Sequence, residues 1–111
     1  MITLDEAKAY LRVDSNFEDT LISALLSSAE VLCADVARIT STDWNAVTVG
    51  EAAVIRGVEK TDEEVQQIRN ILHVGVLYAL GYLYEHREEA DHHDLVITLR
   101  NLLFSVREGV L

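Results

Sequence analysis

The sequence predicts an all-α fold, a small helical bundle of about four helices, and three observations carry that reading. There is no proline and there are only five glycines in 111 residues, which favours long uninterrupted helices over turn-rich sheet. Apolar residues recur at steps of three and four along the longer stretches. Three of those stretches open with a Thr or Ser followed three residues later by Glu, the sequence form of a capping box. The hydrophobic share of 50% is enough to bury a core, and the length suits one domain over residues 1–111.

In chain order, Thr3, Leu4, Asp5 and Glu6 form the first capping box. A short helix follows to about residue 11, with Leu4, Ala7 and Leu11 on one side. Ser15, Asn16, Phe17 and Glu18 form the second box and start a helix to about residue 38. Its apolar face is Leu21, Ile22, Leu25, Leu26, Ala29, Leu32, Cys33 and Val36. From 39 to 60 the periodicity weakens. Asp43, Trp44, Asn45 and Ala46 suit a helical turn, and the β-branched residues around Gly50 and Gly57 suit a loop with extended pieces or a small hairpin. Trp44 reads more readily as a plug on the bundle edge than as a partner anchor.

Thr61, Asp62, Glu63 and Glu64 make the third box, with acidic residues placed to complement the helix dipole. The central helix then runs to about residue 88. Val65, Ile68, Ile71, Leu72, Val76, Ala79, Leu80 and Leu83 define one face, while Val74, Leu77, Tyr78 and Tyr82 spread onto the others. A helix this apolar must be covered nearly all round, so it is the centre of a bundle, an oligomer contact, or both. Gly75 and Gly81 within it admit either close helix approach or simple tolerance. A polar connector at 89–94 leads to a last helix at 95–107, capped by Asp94, with Leu95, Leu99, Leu102, Leu103 and Val106 as its stripe.

Composition also excludes functions. Nineteen acidic against nine basic residues give a formal charge of −10, which argues against a surface built to grip polyanions. The single Cys33 sits on an apolar pattern with no basic neighbour, so it reads as a buried hydrophobe, and no disulfide framework is available. The opening residues lack the form of a signal peptide. No run of 18 apolar residues is present, so no membrane span is expected. His86, His92 and His93 among carboxylates could suggest a metal site, but adjacent histidines on a helix diverge, and a solvated connector is the simpler reading. His73 has no nucleophile near it in sequence. No phosphate-binding glycine loop or nucleophile elbow is present. No catalytic, cofactor or metal residue is therefore assigned, and an enzyme is not expected.

Three stretches in this order carry a family resemblance. They are MITLDEAKAYLRVD followed by acidic residues and DTLISALLSSAEVLC; VLYALGYLYEHRE, which ends in Tyr84, Glu85, His86, Arg87 and Glu88; and LRNLLFSVR. Together the sequence resembles the head–tail connector (adaptor, head-completion) proteins of tailed bacteriophages, sometimes described as DNA-packaging proteins. The segment 39–60 matches no pattern of that family.

The resemblance implies a homo-oligomeric ring, dodecameric in the virion, that docks on the portal after DNA packaging. It extends the DNA channel and offers a platform to a tail-side protein, without enzymatic activity, cofactor or membrane. DNA would pass through the lumen without sequence-specific binding. The expected location is the head–tail junction of the virion, with assembly in the host cytoplasm. On that reading Tyr78, Tyr82, Tyr84 and Arg87 are oligomer-interface candidates, because the tyrosines cannot all face one core. Leu99, Leu102, Leu103, Val106 and Arg107 on the last helix are portal-docking candidates. The rival readings are a stand-alone acidic helical binding module or regulator, and a metal enzyme using the His/Asp cluster.

Overall fold

The computed structural model describes residues 1–89 and 91–109. Ala90, inside the expected connector, and residues 110–111 lie outside the described residues. Six helices and one hairpin follow in order: α1 Leu4–Leu11, α2 Asp19–Ala37, α3 Ser41–Val49, β1 Ala53–Ile55, β2 Val58–Lys60, α4 Asp62–Glu85, α5 His93–Leu102 and α6 Phe104–Arg107.

The core is the pairing of α2 with α4. The Tyr84 hydroxyl at the end of α4 donates to Glu18 Oε1 at the start of α2, 2.8 Å away, so the two helices run antiparallel. From α2 come Ile22, Leu26, Ala29, Cys33, Val36 and Ala37; from α4 come Val65, Ile68, Leu72, Val76, Ala79, Leu80 and Leu83. Each large aliphatic buried here stabilises the fold by about 1.5–3 kcal/mol relative to exposure. α1 crosses both helices near that end, and α5 packs on both from another side. α3 and the hairpin cover the N-terminal half of α4. Cys33 is buried, and loss of solvent, then Glu30, pushes its thiol pKa up to about 12, which makes it inert. By length and composition alone α2 could cross a membrane, with a mean hydropathy of 1.5, although polar residues interrupt its apolar run. Its Asp19, Glu30 and Asp35 and its stripe against α4 are those of a core helix.

The three capping boxes fare differently. At Thr61 the box is complete: the Thr61 hydroxyl accepts from the Glu64 amide at 3.2 Å, and Glu64 accepts from the Thr61 amide at 3.0 Å. At Thr3 only half forms, because the Glu6 carboxylate turns to His73 Nε2 at 2.7 Å. The box expected at Ser15 is absent, and α2 starts at Asp19 with no side-chain cap. Its members are engaged elsewhere: Asn16 accepts from Lys8 at 2.9 Å, Lys8 pairs with Asp19 at 2.8 Å, and Glu18 takes Tyr84.

The weakly patterned segment contains a nine-residue helix, α3, longer than the turn expected there. It is capped by the Thr40 hydroxyl and closed by Gly50 at φ 78°. The hairpin is real, and its turn at Arg56 (φ 51°) and Gly57 (φ 77°) between the Ile55–Val58 pair is of the type I′ form. Trp44 is half-buried against the core edge. α4 stops at Glu85, three residues short of expectation. The last helix is broken at Leu103, and Asp91, rather than Asp94, accepts the His93 amide at 2.9 Å.

Candidate functional site: an aromatic groove and an arginine end

The C-terminal half of α4 is not fully wrapped by its own chain. Val74 is 56% and Tyr78 40% exposed, one helical turn apart, and Tyr10 of α1 is 48% exposed. Tyr10, Leu11 and Arg12 from α1 face Tyr78, Gly81, Tyr82, Tyr84, Glu85 and His86 from α4 across an open groove of about 410 Å³. Gly81 makes this approach possible, since a Cβ there would lie 3.1 Å from the Tyr10 ring. Gly75 serves the opposite face, where a Cβ would meet Leu103 at 2.8 Å. Close helix approach is thus the reason for both glycines.

Of the interface candidates, Tyr78, Tyr82 and Tyr84 line this groove and Arg87 lies just beyond it. Tyr78 is exposed. Tyr82 stacks on His86 with centroids 4.1 Å apart and meets His92 edge-on at 6.1 Å. Loss of solvent, then Glu89 and Asp94, hold its phenol above the ordinary tyrosine range. The hydrogen bond to Glu18, first, and partial burial raise Tyr84 likewise. Arg87 folds back on its own helix end: it donates to the Tyr84 carbonyl and lies over the Tyr84 ring at 4.9 Å. Of the histidines that suggested a metal, His86 and His92 pack on Tyr82, and His93 is exposed. His86 Nδ1 also donates to the Tyr82 carbonyl at 2.9 Å. Among the described residues no group of His, Cys, Asp or Glu is arranged to hold an ion.

The portal-docking candidates divide. Leu99 and Leu103 have no exposed surface and Val106 is 1% exposed, so their apolar side chains belong to the chain's own core. This corrects the sequence expectation, which treated the terminal stripe as free to lend. Leu102 is 40% exposed and remains available. Arg107 donates to the Val36 carbonyl at 2.8 Å, at the end of α2.

That bond belongs to a feature the sequence reading missed. Arg38, Arg56, Arg100 and Arg107 are four of the nine basic residues, and they converge at one end of the molecule. Arg56 donates to the carbonyls of Ala37, Arg107 and Val106, joining α2 to α6. Burial, then Arg38 and Arg100, depress the Arg107 pKa. Arg38, Ile97, Arg100, Asn101, Phe104, Arg107 and Glu108 line an open groove of about 400 Å³. Spaced at 38, 56, 100 and 107, these arginines make no sequence cluster; only the chain fold brings them together.

The chain is thus a small helical body with exposed aromatic surface on α4 and clustered arginines at one end. A family model described as Phage gp6-like head-tail connector protein matches residues 1–110, and the chain belongs to that family. It is accordingly a structural component of a phage virion. No curated protein and no solved structure matches the chain significantly.

Proposed function

We propose that this protein assembles into a homo-oligomeric ring, dodecameric in the virion. The ring docks on the portal once DNA is packaged, extends the channel and receives a tail-side protein. The observation that carries the reading is the apolar surface left on α4, Val74 and Tyr78 with Tyr10 beside them, on a chain whose other large apolar α4 residues are buried or half-buried. Tyr78, Tyr82 and Tyr84 along this groove, with Arg87 beside it, form the contact to a neighbouring copy. Leu102 is the portal-facing residue of the terminal helices. The formal charge of −10 supports a passive role toward DNA, since an acidic wall repels phosphate and lets the duplex slide. The role is structural, with no chemical step.

Native mass spectrometry tests this. Across a concentration series, alone and with portal, the expected species are high multiples of the 12.4 kDa chain. Tyr78→Ala should weaken them by about tenfold or more, on the scale of one buried interface aromatic. A chain that stays monomeric at every concentration, with portal present, would remove the ring reading.

A further inference from the structure

The two ends of α2 carry opposite surfaces. Two residues before its first turn stands Phe17, 97% exposed, the most exposed large apolar side chain described. It lies in a turn with Asp14 and Glu18, and among the described residues neither carboxylate is paired with a cation, since Lys8 beside the turn is taken by Asn16 and Asp19. Nineteen residues of helix separate this turn from Arg38, a span of about 28 Å. At that far end lies the arginine groove, with Ile97 44% and Phe104 57% exposed within it. Arg56 and Arg107 are engaged by backbone carbonyls. The side chains of Arg38 and Arg100 make no hydrogen bond or ion pair among the described residues.

We propose that the Phe17 turn of one copy seats in the Arg38, Ile97, Arg100 and Phe104 groove of the next, a head-to-tail contact between unlike ends. It deepens the ring reading above and rests on it. Charge complementarity selects the occupant. The chain carries 19 acidic residues against nine basic ones, so the free guanidiniums find their counter-charge most readily on another copy. That copy also brings an apolar side chain, which Ile97 and Phe104 require and a nucleic-acid backbone would not supply. A contact between two different patches is heterologous, and such contacts close into rings when the rotation between copies permits.

Both patches are exposed, so each can be altered without disturbing the core. Phe17→Ala and Arg100→Glu are compared with the wild-type chain by sedimentation velocity, with thermal melts to verify that each folds as wild type. Each variant alone should associate at least tenfold more weakly. Mixed in equal amounts, the two should recover, through one-to-one pairs, association that neither shows alone. The Phe17 turn of the Arg100→Glu copy then fills the intact groove of the Phe17→Ala copy, and both outer ends are dead.

Wild-type association by either variant alone would overturn this contact while leaving the ring reading intact. So would a mixture that associates no better than either variant alone. Unchanged assembly of Arg100→Glu together with loss of salt-sensitive binding to a labelled DNA duplex would assign the groove to nucleic acid instead. A wild-type chain that never associates would sink the ring reading, and this contact with it.

Discussion

Two glycines in one helix have opposite tolerances, and the difference lies in what each faces. A Cβ on Gly75 would stand 2.8 Å from Leu103 Cδ2 and 3.6 Å from Cys33 Sγ, both fully buried. Neither neighbour can leave, so Gly75→Ala should cost stability. Overpacking of about 1–3 kcal/mol outweighs a helix-propensity gain of about 1 kcal/mol. A Cβ on Gly81 would stand 3.1 Å from Tyr10, whose ring is 48% exposed and can swing into solvent. Gly81→Ala should therefore hold or raise stability, by up to about 1 kcal/mol. The urea midpoint should fall for Gly75→Ala and stay level or rise for Gly81→Ala; a Gly75→Ala midpoint at or above wild type would mean Leu103 has slack. No local pattern separates these two residues, because the decisive neighbours are Leu103 and Tyr10, 28 and 71 positions away in the chain.

At the scale of elements, what could be read from sequence was whatever is decided locally. The α4 stripe from Val65 to Leu83 is buried nearly as the periodicity requires, and the Thr61 cap sits where four consecutive residues place it. What failed was decided at a distance. The motif at Ser15 has the right spelling, but Tyr84 claims Glu18 and Lys8 claims Asn16, so α2 begins four residues later than its motif. The break at Leu103 lets that side chain reach the slot over Gly75, which no pattern within 95–107 records. α3 reads from sequence only as a turn at Asp43 to Ala46, because Val47, Thr48 and Val49 are weak helix formers. Its signals were Thr40 before it and Gly50 after it. Cap substitutions should expose the contrast. Thr61→Ala should cost about 1 kcal/mol in chemical denaturation. Ser15→Ala should fall within about 0.5 kcal/mol of wild type, as an exposed site does. A cost at Ser15 equal to that at Thr61 would mean the second box forms in solution after all.

For the whole molecule the governing quantity is where charge lies rather than how much there is. A body of charge −10 should repel its copies, and if that bulk repulsion governed association, added salt would screen it and promote assembly. The folded chain instead places Arg38, Arg56, Arg100 and Arg107 at one end of an elongated body of 42 × 27 × 19 Å, and the Phe17 turn at the other. Two copies meeting end to end bring opposite charges within a few ångströms, inside a Debye length of about 8 Å at physiological salt. The attraction acts at the contact, while the like charges lie mostly farther apart and are screened first. Association should therefore weaken as salt rises, by about tenfold between roughly 0.05 and 0.5 M, the size of one or two exposed pairs. Sedimentation equilibrium across that range reads it directly. Arg100→Glu should flatten or reverse the slope, because it removes the attraction and leaves the repulsion. Assembly that strengthens with salt in the wild-type chain would mean that bulk repulsion dominates and that the charged ends do not face each other.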